Sequence, residues 1–171
     1  MIEQTPWMQR EFNLGFPIGL FPCILERLRG TPARLEELAA QFPPDVLTKR
    51  VGNKWSIQEH VGHLLDLCEL DDLRLMDYLA KAETLTAADM GNRKTQSADH
   101  NAKAIKNLLG SFRSRRLALV RKLEHLNDTE LSRSAVHPRL QKPMGVVDWV
   151  YFMSEHDDHH IARITSLGRV R

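Results

Sequence analysis

Residues 146–167 read VVDWVYFMSEHDDHHIARITSL, and the spacing of apolar side chains along this stretch decides the fold. Trp149, Val150, Met153, Ile161, Ile164 and Leu167 recur at three- and four-residue intervals, the period of one helix face. Strand alternation is nearly absent from the chain. With His156 set at zero and about 100° per residue, Trp149, His160 and Leu167 fall within about 40° of it. His156 and His160, four residues apart, therefore lie on or beside the inward stripe. His159 falls near ~300°, outside that stripe. With Asp158 it is expected to face solvent or a partner.

Working outward, residues 99–126 form a second helical pattern, with Ile105, Leu108, Leu109, Phe112, Leu119, Val120 and Leu123 on one face. Residues 127–145, between these two helices, read as a loop containing His137-Pro138-Arg139 and Pro143-Met144-Gly145. Another long helix begins near Trp55-Ser56. Ser56 is the N-cap and Glu59 stands three residues later, the capping-box spacing. Its main stripe holds Ile57, Val61, Leu64, Leu65, Cys68, Leu75, Met76 and Leu79. Leu67, Leu70 and Leu73 lie off it, which predicts packing against several neighbours. Residues 84–98 read as a connection with a turn at Gly91-Asn92. A short helix is expected over residues 18–29. Thr31-Pro32 then matches an N-cap followed by Pro, opening or kinking a helix to about Gln41, which Pro43-Pro44 ends. Residues 1–17 read as an irregular or partly helical lead-in. Four long amphipathic helices predict an all-α fold, a four-helix bundle in one domain over residues 1–171. The long connections leave room for a crossover.

Composition narrows the function. The chain has 171 residues, 42% of them hydrophobic and 27% charged, so disorder is not expected. The net charge of +2 gives no footprint for nucleic acid. Residues 64–90 are rich in acids and residues 99–122 in bases, which reads as two solvated faces that meet each other. Cys23 and Cys68 exclude a disulfide scaffold and a four-cysteine zinc site. No apolar run is long enough to span a membrane, and Met1-Ile2-Glu3-Gln4 lacks the start of a signal peptide. A cytoplasmic protein is expected.

The chemistry concentrates in His156-Asp157-Asp158-His159-His160. Histidines at i and i+4 stack on one helix face and can reach one ion, and metal coordination satisfies inward imidazole nitrogens that are costly to bury alone. The same residues read as His-Asp-x-x-His, one methylene short of the zinc-protease pattern. Asp157 is thus a candidate base for a metal-activated water or an acceptor that orients a ring. An interhelical salt bridge is an equal reading. A catalytic site needs a third protein ligand. His60 and His63 both offer one, and periodicity favours neither firmly, although His60 lies closer to the apolar stripe.

Trp55-Ser56-Ile57-Gln58-Glu59-His60-Val61-Gly62-His63-Leu64, followed about 90 residues later by Glu155-His156-Asp157-Asp158-His159-His160, resembles the DinB/YfiT-like metalloenzymes. Leu25 to Leu35 and His137-Pro138-Arg139 extend the resemblance over nearly the whole chain. It implies a bundle in up-down-down-up order. It also implies a divalent metal held by His63, His156 and His160, and a histidine-rich site suits zinc or nickel. Characterised members include thiol S-transferases and a mycothiol-dependent isomerase. The resemblance therefore implies a low-molecular-weight thiol, a small electrophilic substrate and a homodimer, with no nucleic acid or membrane partner. Metal-dependent hydrolysis with Asp157 as base is the alternative, and a non-enzymatic metal-binding dimer is a third.

Other residues carry weaker expectations. Arg139 is a candidate for a carboxylate of substrate or thiol, or a loop anchor. His60 reads as a packing or surface residue, Cys68 as a small core hydrophobe and Cys23 as packed. His100 and His125 carry no signal, and Trp55 reads as an anchor for the helix start. A di-iron carboxylate site is disfavoured because no Glu-x-x-His occurs at the proposed ligands.

Overall fold

The structure, a computed structural model, describes residues 2–169; Met1, read above with the N-terminus, and residues 170–171 lie outside them. Its elements are α1 (Phe21–Ala39), α2 (Pro44–Thr48), α3 (Ile57–Leu79), α4 (Arg93–Ser97), α5 (Ile105–Glu124), α6 (Asp128–Leu131), β1 (Ser134–His137), β2 (Lys142–Gly145) and α7 (Val146–Arg169). The four long helices form a bundle in which α1 and α3 each pack on both α5 and α7. Cross-helix contacts fix their directions. Arg29 meets Glu124 at 2.6 Å and Arg113 meets Glu36 at 2.6 Å, so α1 and α5 are antiparallel. Arg27 meets Glu155 and Arg34 meets Asp158, each at 2.6 Å, so α1 and α7 are parallel. Tyr78 packs on Trp149 and His60 on His160, so α3 opposes α7. The order is up-down-down-up. No helix is long and apolar enough to cross a membrane among the described residues.

Ser56 caps α3 as its sequence predicts. Its hydroxyl accepts the Glu59 N–H at 3.1 Å, and the Glu59 carboxylate accepts the Ser56 N–H at 2.9 Å. Three expectations need correction. The segments around Thr31-Pro32 form one helix, and Thr31 is buried inside it. Phe21, Leu25, Leu28, Pro32, Leu35 and Ala39 make one continuous buried stripe. Tertiary packing of that stripe outweighs the hydrogen bond that Pro32 cannot donate. The helix expected from Asp99 starts at Ile105, because Asp99 has φ 44° and His100–Ala102 form a separate 3₁₀ turn. Residues 127–145 are ordered: α6 leads into an antiparallel hairpin pairing Ala135 with Met144 and His137 with Lys142.

The lead-in, residues 2–20, contains 3₁₀ turns at Trp7–Gln9 and Ile18–Leu20 and lies across the C-terminal helix. Asp148 in the first turn of α7 holds it there. One carboxylate oxygen accepts the Gly15 and Phe16 N–H groups at 2.8 and 2.9 Å, and the other accepts Gly145 N–H at 2.9 Å. Gly15 has φ +101°, a conformation open to glycine.

The buried apolar residues form two clusters. One surrounds Leu28, Tyr78, Val120 and Trp149; the other surrounds Leu35, Leu64, Phe112 and Ile164. Between them Arg116 donates to Asp71 and to Asp157, each at 3.0 Å, and all three side chains are almost fully buried. The acidic and basic faces also meet at Asp72, which accepts from Arg115 at 3.0 Å and Lys122 at 2.6 Å. Burial pushes the Asp71 and Asp157 carboxyls up, Asp157 to about 6. Burial alone would lower Arg116, but the two carboxylates outweigh it and raise it.

Replacing Arg116 removes the cation that both buried carboxylates hydrogen-bond. Arg116→Met is expected to lower the unfolding free energy by about 3–5 kcal/mol in a urea titration; an unchanged midpoint would contradict this account. The Arg50 hydrogen bonds hold the Glu59 carboxyl at about 2, against its burial. A depressed carboxyl stabilises the fold above its unfolded value, about 4.3, and loses that contribution as pH falls toward 2. Glu59→Gln keeps the capping geometry. It is expected to cost stability at pH 6, with the cost shrinking steadily as pH falls toward 2, when urea midpoints are compared across pH.

Candidate metal centre

The antiparallel pairing of α3 and α7 brings His63 beside His156 and His160. One ring nitrogen from each lies within 4.8 Å of the other two, so the set can hold a metal ion. The Nε2 atoms of His156 and His160 are 3.2 Å apart. Two imidazoles on one tetrahedral zinc would stand about 3.3 Å apart, from zinc–nitrogen bonds of about 2.0–2.1 Å. His156 and His160 are therefore already spaced as a pair of ligands, with His63 within 4.8 Å of both.

Neighbouring groups orient two of the rings. Thr95 in α4 donates its hydroxyl proton to Asp66 at 2.9 Å, so its oxygen accepts from His63 Nδ1 at 3.1 Å. His63 then keeps its Nε2 lone pair free, the tautomer a metal ligand requires. Asp66 also meets His100 Nε2 at 2.8 Å, and the His100 ring sits so close to Gly62 that a Cβ there would lie 2.3 Å from it. On α7, His160 Nδ1 meets His60 Nδ1 at 2.8 Å, which leaves His160 Nε2 directed at His156. Burial holds His63 and His60 down to about 4 and His156 and His160 well below the usual histidine range. All four are neutral near pH 7, as coordination demands.

The remaining candidates divide. His60 is buried beside the set and positions His160. Trp55 does more than start α3, since its ring packs 4.8 Å from His63 and stacks over His160 at 6.3 Å. The expectation that His159 is exposed fails. Gln4 donates to its carbonyl at 3.0 Å and meets its Nδ1 at 3.0 Å, and Trp7 packs against it, because the lead-in covers that face. Asp158 is paired with Arg27 and Arg34 of α1. Asp157 is in the ion pair with Arg116, and its second oxygen has no partner. Cys68 is buried with its thiol pushed up to about 12 by burial. Cys23, expected to be packed, is exposed on the outer face of α1. His125 is exposed and bonds the Arg121 carbonyl.

The histidine set opens on a cavity of about 670 Å³ lined mainly by apolar side chains, among them Trp7, Leu67, Leu70 and Phe152. Trp7 stands 4.8 Å from His156 and 5.0 Å from Phe152. Arg139, Arg74 and His137 also line the cavity. Sequence reasoning missed Thr95, Asp66 and Trp7. Asp66 sits three residues after His63, one helical turn along, and that spacing was the available signal.

These features define a four-helix bundle with a three-histidine site at a cavity wall. The DinB superfamily sequence model matches residues 27–164, and the chain belongs to that superfamily. No curated protein sequence matches it. Among solved structures it is similar to YfiT from Bacillus subtilis, described as a probable metal-dependent hydrolase with an unusual four-helix bundle topology. That likeness has a TM-score of 0.81 and 18% identity, and covers 94% of this chain and 92% of the other. A mycothiol-dependent maleylpyruvate isomerase is similar with a TM-score of 0.67 and 9% identity, over 86% of this chain and 60% of the other.

His63→Ala and His156→Ala are each expected to abolish stoichiometric zinc or nickel binding, measured by metal analysis after dialysis, while the protein stays folded. Thr95→Val removes only the group that orients His63. It is expected to weaken metal affinity by about 10–100-fold in a chelator competition. Wild-type affinity in Thr95→Val would show that the hydroxyl does not orient the ligand.

Proposed function

We propose that the chain is a metal-dependent enzyme that transfers a thiol to an electrophilic small molecule, with zinc or nickel held by His63, His156 and His160. One observation carries the reading: three neutral imidazoles converge at the wall of a large cavity, where small molecules have access. A bound divalent ion supplies positive charge that lowers the pKa of a thiol or water and keeps a coordination position open. The chain's own groups do the rest. Asp66, Thr95 and His60 fix ring orientation, and Trp7 and Phe152 keep that part of the cavity apolar. Cys68 is buried with a raised pKa and Cys23 faces outward, so the reacting thiol comes from outside the chain. In the transfer a carbon–sulfur bond forms, the leaving group departs with its electron pair, and the thiol proton is released.

The fold shared with a mycothiol-dependent isomerase makes a thiol co-substrate the first to test. Hydrolysis is the second reading. The unpartnered oxygen of Asp157, a residue of the cavity wall, favours it, as does the fold shared with a protein described as a probable hydrolase. The two separate in one assay. Metal-loaded protein is incubated with 1-chloro-2,4-dinitrobenzene and with p-nitrophenyl acetate, each with and without glutathione or cysteine. The transferase reading expects turnover that requires thiol and is lost in His156→Ala. Turnover of either substrate without thiol would contradict it and support hydrolysis.

A further inference from the structure

Beside the three histidines, two residues of the cavity wall hold buried hydrogen-bond donors without a protein partner. His137 is almost completely buried. The Leu140 N–H donates to its Nδ1 at 3.2 Å, so the neutral ring carries its proton on Nε2. That Nε2–H has no partner. Nη2 of Arg139 is also buried without a partner, while Nη1 reaches the Met8 sulfur at 3.8 Å. The Arg139 guanidinium packs over Trp7 at 5.8 Å and Phe152 at 5.7 Å. Arg74, buried in the same wall, donates Nε to the Thr86 carbonyl at 3.0 Å. Burial holds His137 down to about 4, and the charges of Arg74 and Arg139 push the same way.

The acids of the wall are committed elsewhere. Asp71 and Asp157 pair with Arg116, Asp71 and Asp77 also offset the charge of Arg74, and Asp89 pairs with Arg93. Burial lowers Arg139, and no carboxylate offsets it. One guanidinium nitrogen and an imidazole N–H buried without an acceptor cost free energy in the protein alone. They are the arrangement an anion would satisfy. The two orphan donors, Arg139 Nη2 and His137 Nε2, are N–H groups of the kind that bond carboxylate oxygens. The rest of the wall, including Trp7, Met8, Leu67, Leu70 and Phe152, is apolar.

We infer that this cavity binds an apolar organic carboxylate, its carboxyl group held by His137 and Arg139 and its body laid along Trp7 and Phe152 beside His156. That the carboxylate is a substrate rests on the function proposed above; that it binds does not. The full chain, stripped of metal with a chelator, is titrated with benzoate, benzamide and inorganic phosphate in a calorimeter. Benzoate is expected to bind about tenfold or more tightly than benzamide and than phosphate. Arg139→Gln, with its unfolding midpoint checked, is expected to lose about tenfold in benzoate affinity. Equal binding of benzoate and benzamide, phosphate matching benzoate, no benzoate binding, or a folded Arg139→Gln that binds as wild type would each overturn the inference. If Arg139→Gln fails to fold, the benzoate–benzamide comparison on wild-type protein decides it alone. His63→Ala is expected to lose metal and keep benzoate affinity. Benzoate binding without any metal binding in wild type would sink the proposed function and leave the carboxylate site standing.

Discussion

Arg116 bridges Asp71 and Asp157 with almost no access to water, and each of the three residues comes from a different long helix. Two apolar clusters meet at this layer without any polar specificity of their own. Apolar contacts tolerate sliding and rotation, whereas a buried guanidinium with two carboxylates does not. Removing any member leaves a buried group unsatisfied, so the layer restricts the register of α3, α5 and α7. The register then sets the site. Asp157 directly follows His156, and Asp71 lies two helical turns beyond His63 on the opposing helix. Once Asp71 and Asp157 share Arg116, His63 faces His156 and His160.

Register alone does not give three ligands with free nitrogens. The hydrogen-bond chain from Asp66 through Thr95 leaves His63 Nε2 for a metal, and the contact of His60 with His160 Nδ1 turns His160 Nε2 toward His156. The lead-in supplies the outer wall, with Trp7 against His156 and Gln4 against His159. Asp148 ties that segment to the start of α7. Core, ligands and cover are thus all referenced to one helix.

Much of this was legible in the sequence. Ser56 and Glu59 announced the start of α3, and the period of Trp149, Met153, Ile164 and Leu167 placed His156 and His160 inward. The choice between His60 and His63 was not legible from the apolar stripe, and the family resemblance pointed to His63. Both are buried, because residues 92–102 fold across the face that the stripe leaves polar, bringing Thr95 and His100 onto it. His159 misled for the same reason: a helical wheel does not see a covering segment more than 150 positions away. Thr31-Pro32 carried a local start signal that the packed stripe of α1 overrode. The hairpin was invisible because each strand has four residues and one contains Pro143. Arg116, the residue the architecture depends on, looked like one base among several on a solvated face.

The central claim is that three imidazoles converge on one ion with a position left open. X-ray absorption at the metal edge of zinc- or nickel-loaded protein measures this directly. The account predicts three imidazole nitrogens in the inner shell, no bound metal retained by dialysed His63→Ala, and one added sulfur when glutathione is present. An inner shell of carboxylate oxygens alone, a cysteine sulfur without added thiol, or a spectrum unchanged in His63→Ala would contradict it.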